Sequence, residues 1–228
     1  MTLKAYTATT GNGYKLSVFL SLLNIDHEMI PIDLSKGETK EPWFLELNPN
    51  GKIPTIKDEA ADISLGESAS LMVYLADTYD KERNFSYAPG TKEYYKLLEI
   101  SFFQMSSVGP MQNRATSIAL FEKGQHVEEF ERLSKETRRL YSVLEEFLRR
   151  NQKDYGSKFL VGDHISVADV LFLCVAVFLP IMGIPLTDFP LIKDWATNLL
   201  EIPEINKGFT IPNMPYIWDD SLPPIVKP

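Results

Sequence analysis

Cysteine is almost missing from this chain: Cys174 is the one instance in 228 residues. An internal disulfide is therefore impossible, which excludes a disulfide-stapled secreted scaffold and makes a reducing compartment the expected setting. Histidine is nearly as scarce, and His27, His126 and His164 are scattered along the sequence, so no metal site is expected. Positive charge is in deficit, with 23 Lys+Arg against 31 Asp+Glu and a formal net charge of -8. A phosphate backbone needs a basic face, so nucleic acid is not expected as a partner. Long apolar runs are missing too. The one uncharged stretch, 170–186, lies near the lower length limit for crossing a bilayer and is broken by Pro180, Gly183 and Pro185. It reads as a buried helix ending near Leu179, and no membrane partner is expected. The opening residues MTLKAYTATT have neither the apolar stretch of a signal peptide nor the Arg-rich character of a transit peptide, so a cytoplasmic location is expected.

What is present is the composition of an ordinary globule, 44% hydrophobic and 24% charged, in a chain long enough for one large domain or two small ones. The periodicity favours two. Leu3 to Thr7 and His27 to Ile32 read as strands, and the apolar spacing from Tyr14 to Leu23 between them suits a helix. Such a crossover makes the two strands parallel. A polar loop and a short helical piece follow, then strands at 53–57 and Asp62 to Leu65 and a helix from Ser68 to Tyr79. After about Thr91 the pattern is helix after helix. Tyr94 to Met105 and Val127 to Leu148 carry the apolar spacing of a bundle with charged opposite faces. Ser166 to Asp169 reads as a capping box, with Ile165 and Val170 as a hydrophobic staple. The expected organisation is an N-terminal α/β domain over 1–80, a linker over 81–91, an all-helical domain over 92–207 and a proline-rich tail over 208–228 wrapping the surface without regular structure.

The order βαβββα, with Pro54 opening the third strand, resembles a thioredoxin-like fold. Thioredoxin relatives place a thiol where the first strand meets the first helix. Here that junction reads Ala8-Thr9-Thr10-Gly11-Asn12-Gly13-Tyr14-Lys15 and holds no cysteine. The thiol must then come from a ligand. Glutathione is the natural candidate, its thiolate at the positive end of a helix starting near Asn12 to Tyr14.

Four pieces in this order carry a wider resemblance: Asn12-Gly13-Tyr14-Lys15, Asn48-Pro49-Asn50-Gly51-Lys52-Ile53-Pro54, Glu67-Ser68, and the Ser166 to Asp169 box. Over roughly residues 2–207 the chain resembles the glutathione transferase family, and within it the bacterial nu-class enzymes and their fungal relatives. The resemblance implies a thioredoxin-like first domain, an all-helical second domain, a homodimer, glutathione as co-substrate and no metal. It implies a cis Pro54 that turns the main chain of Ile53 outward to pair with the cysteinyl peptide. Ser68 would bind the γ-glutamyl carboxylate through its hydroxyl and N–H, and Glu67 would accept from the ammonium. Plain N-capping is the other reading of that pair.

Asn12 is the first choice of donor to the thiolate, with Thr9 and Thr10 as further donors, although Gly-Asn-Gly is also a turn signature. Lowering a thiol pKa from about 8.5 to about 6.5 requires roughly 2.7 kcal/mol of preferential thiolate binding, within reach of one or two charged hydrogen bonds and a helix end. Tyr6 is expected to be a packing residue. Lys52, with Thr39 or Lys40, is a candidate for the glycyl carboxylate. Phe102, Phe103, Met105, Met111, Arg114 and Arg132 are candidates to line the cleft for a small hydrophobic electrophile or a disulfide. Asp169 is expected to serve stability, and Cys174 to be a small buried hydrophobe. The implied activity is glutathione transfer, with glutathione-dependent disulfide or hydroperoxide reduction as a second possibility and a non-catalytic glutathione-binding scaffold as a third.

Overall fold

β1 (Leu3–Thr7) and β3 (Thr55–Asp58) occupy the middle of a four-stranded sheet of order β2-β1-β3-β4 in the computed structural model, which describes residues 3–212. Both central strands are largely buried, β1 through Leu3, Ala5 and Tyr6, and β3 through Ile56 and the buried polar residues Thr55 and Asp58. β2 (Glu28–Pro31) lies parallel to β1 with Lys4 opposite Glu28 and Tyr6 opposite Ile30. β3 runs antiparallel to β1, placing Ile56 beside Ala5, and β4 (Ile63–Leu65) runs antiparallel to β3. Pro31 is tolerated because β2 is an edge strand.

α1 (Gly11–Leu23) forms the crossover between β1 and β2, and nine of its thirteen residues are buried. α3 (Ser68–Tyr79) and α9 (Pro203–Gly208) pack against it. Gly208 is required there, since a Cβ would stand 2.4 Å from the Val18 Cα. The first compact unit thus consists of residues up to Arg83 together with 201–212. α2 (Pro42–Leu47) drops Phe44 into a small cluster with Tyr6 and Ile32. At the end of β3, Asp58 accepts hydrogen bonds from the Tyr74 hydroxyl at 2.8 Å, from the Tyr79 hydroxyl and from the Ala60 N–H at 3.0 Å. Burial acts to raise its pKa, but the Tyr79, Tyr74 and backbone hydrogen bonds together outweigh it and hold the carboxyl below its ordinary value.

The second unit, Asn84–Leu200, is all-helical. α4 (Lys92–Phe103) continues through a π-helical turn, Gln104–Val108, into α5 (Gly109–Phe121). α6 (Val127–Tyr155) buries Leu133, Thr137, Leu140, Leu144 and Leu148 at three- and four-residue spacing. Its Glu145 carboxylate accepts the Leu191 and Ile192 N–H groups at 3.0 Å each, capping α8 (Pro190–Leu200) from outside that helix. α7 (Val167–Ala176) is buried at all ten positions, Cys174 included, and no described helix is long and apolar enough to cross a membrane. The Ser166–Asp169 capping box forms. Asp169 accepts the Ser166 N–H and hydroxyl on one carboxylate oxygen, and the Leu160 N–H and Trp195 indole N–H on the other, each at 2.9 Å. Burial pushes its pKa up, and these hydrogen bonds offset part of that rise.

The four expected strands and the Ser68–Tyr79 helix are present. α1 begins at Gly11, one residue before the expected start near Asn12 to Tyr14, and α7 ends at Ala176, just short of the expected Leu179. α6 runs past the expected Leu148 to Tyr155, because the Asn151 amide ties its last turns to the Phe159 and Gly162 carbonyls at 2.8 Å each. Most of the expected tail, 213–228, lies outside the described residues.

Candidate glutathione site

The junction of β1 and α1 is set by a close approach. A Cβ on Gly13 would lie 2.0 Å from the Ala8 carbonyl oxygen, so only glycine lets the first turn of α1 press onto the end of β1. Gly11-Asn12-Gly13 is therefore the first turn of a helix, not a loop turn. Thr10 is its N-cap, accepting the Gly13 N–H at 3.0 Å, while the Thr7 hydroxyl donates to the Gly13 carbonyl at 2.9 Å. Thr9 is exposed and Asn12 part-buried. The N–H groups of Gly11 and Asn12 stand in the turn where helices have no internal acceptor, and no acidic residue occupies it. The positive end of the α1 dipole thus faces no carboxylate of its own first turn.

The loop before β3 is built around buried Asn48. Its amide donates to the Lys52 carbonyl and the Thr55 hydroxyl at 2.9 Å each, and its side-chain oxygen accepts the Asn50 N–H at 3.0 Å. A Cβ on Gly66 would stand 2.5 Å from that amide nitrogen, so the same side chain seats the segment entering α3. Ile53–Pro54 is cis, and Ile53 packs on the Tyr6, Ile32 and Phe44 cluster. The Lys40 ammonium donates to the Gly51 carbonyl at 2.8 Å and the Asn50 carbonyl at 3.4 Å, Thr39 is buried, and Lys52 is exposed.

Glu67 is held at φ 59° and ψ 104°, a conformation that non-glycine residues rarely adopt. It is exposed, and its carboxylate accepts from the Asn50 amide at 3.5 Å. Ser68 follows as the first residue of α3, whose first turn also holds no acidic residue. The Ser68 hydroxyl accepts from the Lys15 ammonium at 3.4 Å, a contact that ties the N-terminal parts of α1 and α3 together. Tyr6 packs edge-on to Phe44, ring centroids 6.0 Å apart, and burial pushes its phenol pKa up. It is the packing residue expected.

The structure therefore gathers Thr9, Thr10 and Asn12 at one helix end, Glu67 and Ser68 at another, and Ile53, Pro54 and Lys52 on the loop that Asn48 fastens to the second. Asn48 and Lys15 lie within the sequence motifs, yet residue type alone assigns neither of them a role. In the second unit, Phe103 is half-buried and packs against Phe147 and Phe172 at 5.7 and 6.0 Å. The Arg114 guanidinium is occupied by Glu129 at 2.9 and 3.0 Å and Glu122 at 2.5 Å, bracing the start of α6 against α5. Phe102 and Arg132 are exposed, and Met105 and Met111 are half-buried.

Two helix starts with no acidic residue in their first turns, together with a cis-proline before β3, lie in a thioredoxin-like α/β unit, and an all-helical unit follows it. The chain belongs to the glutathione S-transferase family: residues 13–78 match its N-terminal domain and 105–203 its C-terminal domain. It is similar to the crystal structure of a glutathione transferase homolog from Lodderomyces elongisporus, solved with two GSH per subunit, at 44% identity and TM-score 0.88 over 93% of this chain and 99% of that one. Glutathione S-transferase 2 of Schizosaccharomyces pombe is 36% identical over 163 residues, 71% of this chain and 68% of that protein. Disulfide-bond oxidoreductase YfcG of Escherichia coli is 32% identical over 205 residues, 87% and 90% of the two chains.

Proposed function

We propose that the chain is a glutathione transferase that holds glutathione as its thiolate and directs it at a small hydrophobic electrophile, working as a homodimer in the cytoplasm. The observation that carries this reading is Glu67, kept in a disfavoured backbone conformation immediately before a helix-starting serine. Strain of that kind persists where the surrounding fold imposes it, and it clusters at binding sites. Held this way, Glu67 takes the ligand's ammonium, while the hydroxyl and N–H of Ser68 take the γ-glutamyl carboxylate. Ile53 offers its N–H and carbonyl to the cysteinyl peptide. Lys52 is the exposed cation for the glycyl carboxylate, since Lys40 already serves the Gly51 carbonyl.

Glutathione supplies the nucleophilic sulfur that the chain itself does not expose, Cys174 being buried in α7. Asn12 donates to that sulfur, with the Thr9 and Thr10 hydroxyls and the α1 dipole adding to the preference for the charged form. The sulfur–carbon bond forms as the electrophile's leaving group departs with its electron pair.

The likeness to a disulfide-bond oxidoreductase favours a second reading, in which the same thiolate attacks a disulfide and a second glutathione resolves the mixed disulfide, yielding a reduced dithiol and oxidised glutathione. Steady-state assays with chlorodinitrobenzene, cumene hydroperoxide and hydroxyethyl disulfide separate these activities. Glutathione binding without turnover of any of the three would leave a scaffold and end the enzymatic reading. Asn12→Ala is expected to raise the apparent pKa of the bound thiol and lower kcat. Survival of activity in Asn12→Ala, with its loss in Thr9→Ala, would transfer the role.

A further inference from the structure

Lys15 is 1% exposed and stands among the largest fully buried side chains, and among the described residues no other lysine or arginine is buried. Burying an ammonium is costly, and an apolar residue of similar length would fill the same helical position at less cost. The fold nevertheless brings this nitrogen to 3.4 Å from the Ser68 hydroxyl, across 53 residues of sequence. Under the proposed function, that hydroxyl is the group that meets the γ-glutamyl carboxylate, so the inference rests on that reading.

We propose that Lys15 is a positioning residue for the γ-glutamyl carboxylate: donating to the Ser68 oxygen from within the fold, it turns the serine hydroxyl toward the ligand and adds a buried positive charge behind it. A hydrogen bond whose acceptor is itself donating to an anion is polarised and strengthened. The charge lies where solvent does not screen it, unlike the exposed Lys40 and Lys52. The ligand class is an amino acid or peptide with a free α-carboxylate beside its ammonium.

Calorimetry of wild type, Lys15→Met and Lys15→Arg tests this with two peptides, glutathione and 4-aminobutyryl-Cys-Gly, which lacks only the γ-glutamyl α-carboxylate. Lys15→Met is expected to bind glutathione about 10- to 100-fold more weakly. It should bind the decarboxylated peptide as wild type does, and Lys15→Arg should restore much of the difference. A variant that loses affinity for both peptides equally assigns Lys15 to the fold alone and overturns the proposal, as does unchanged glutathione affinity. Wild type that binds neither peptide overturns the site reading itself. Should Lys15→Met fail to fold, wild type labelled with ¹⁵N-lysine supplies the answer. The Lys15 Nζ resonance is expected to move with glutathione and stay in place with the decarboxylated peptide, and the same response to both refutes the role.

Discussion

Glu67→Gly should stabilise the protein while weakening its grip on glutathione. A non-glycine residue at φ 59° and ψ 104° costs about 2 kcal/mol. Glycine removes that cost and returns about 0.7 kcal/mol of chain entropy to the unfolded state. The net gain is about 1.3 kcal/mol, which for a chain of this length corresponds to a rise in Tm of roughly 3–5 °C. The carboxylate lost with the side chain is exposed, so its bond to the ligand's ammonium belongs at the lower end of charge-assisted bonds, and glutathione affinity should fall about tenfold. Glu67→Ala is the control: it keeps the backbone penalty, so its Tm should stay near that of wild type while its affinity falls by the same factor. Differential scanning calorimetry of the apo proteins and titration calorimetry with glutathione read the two effects separately. A lower Tm for Glu67→Gly would show that the backbone there is not strained. Unchanged affinity in both variants would remove Glu67 from the site. Opposite signs for stability and binding are the signature of strain kept for function.

Asp169→Asn replaces one of two buried acceptor oxygens with a donor and leaves two of the four donors around it without a partner, so stability should fall by about 3 kcal/mol and Tm by roughly 6–12 °C; a Tm within 2 °C of wild type, taken as roughly the smallest meaningful shift, would refute the buried network. Asp58 gives a pH signature. Its folded-state pKa lies below the ordinary aspartate value, so wild type's advantage over Asp58→Asn is complete above about pH 4 and is lost as pH falls through the lowered folded-state value. Urea midpoints of the two proteins from pH 7 downward should converge, and an advantage that persists or grows in acid would contradict the Tyr74 and Tyr79 bonds.

Elements whose signal is local were legible in the sequence. β1 is a short apolar run, and α3 opens on Ser68 and closes at Tyr79, just before the charged stretch Asp80-Lys81-Glu82-Arg83, so both bounds could be read from neighbouring residues. The start of α1 was legible near Asn12, but the reason for its glycines was not: Gly-Asn-Gly is also ordinary turn chemistry, and what requires Gly13 is the Ala8 carbonyl where its Cβ would stand. Likewise α6 outlasts its apolar pattern because Asn151 finds two carbonyls beyond the helix end.

The site divides along the same line. Glu67 and Ser68 are adjacent in sequence, and an acidic residue followed by a serine at a helix start reads either as a helix cap or as a site for a carboxylate and an ammonium. Lys15 and Asn48 carry no such reading alone. A lysine in an apolar helix reads as its solvent-facing residue, and an asparagine before a proline reads as a turn. Their roles come from partners far along the chain: Ser68 for Lys15, and for Asn48 the glycine at 66 whose missing side chain leaves room for its amide. The residues proposed to touch a ligand can thus be picked out as candidates by type, because the ligand's chemistry would select them. The residues that hold those in place are selected by the fold, and only the fold identifies them.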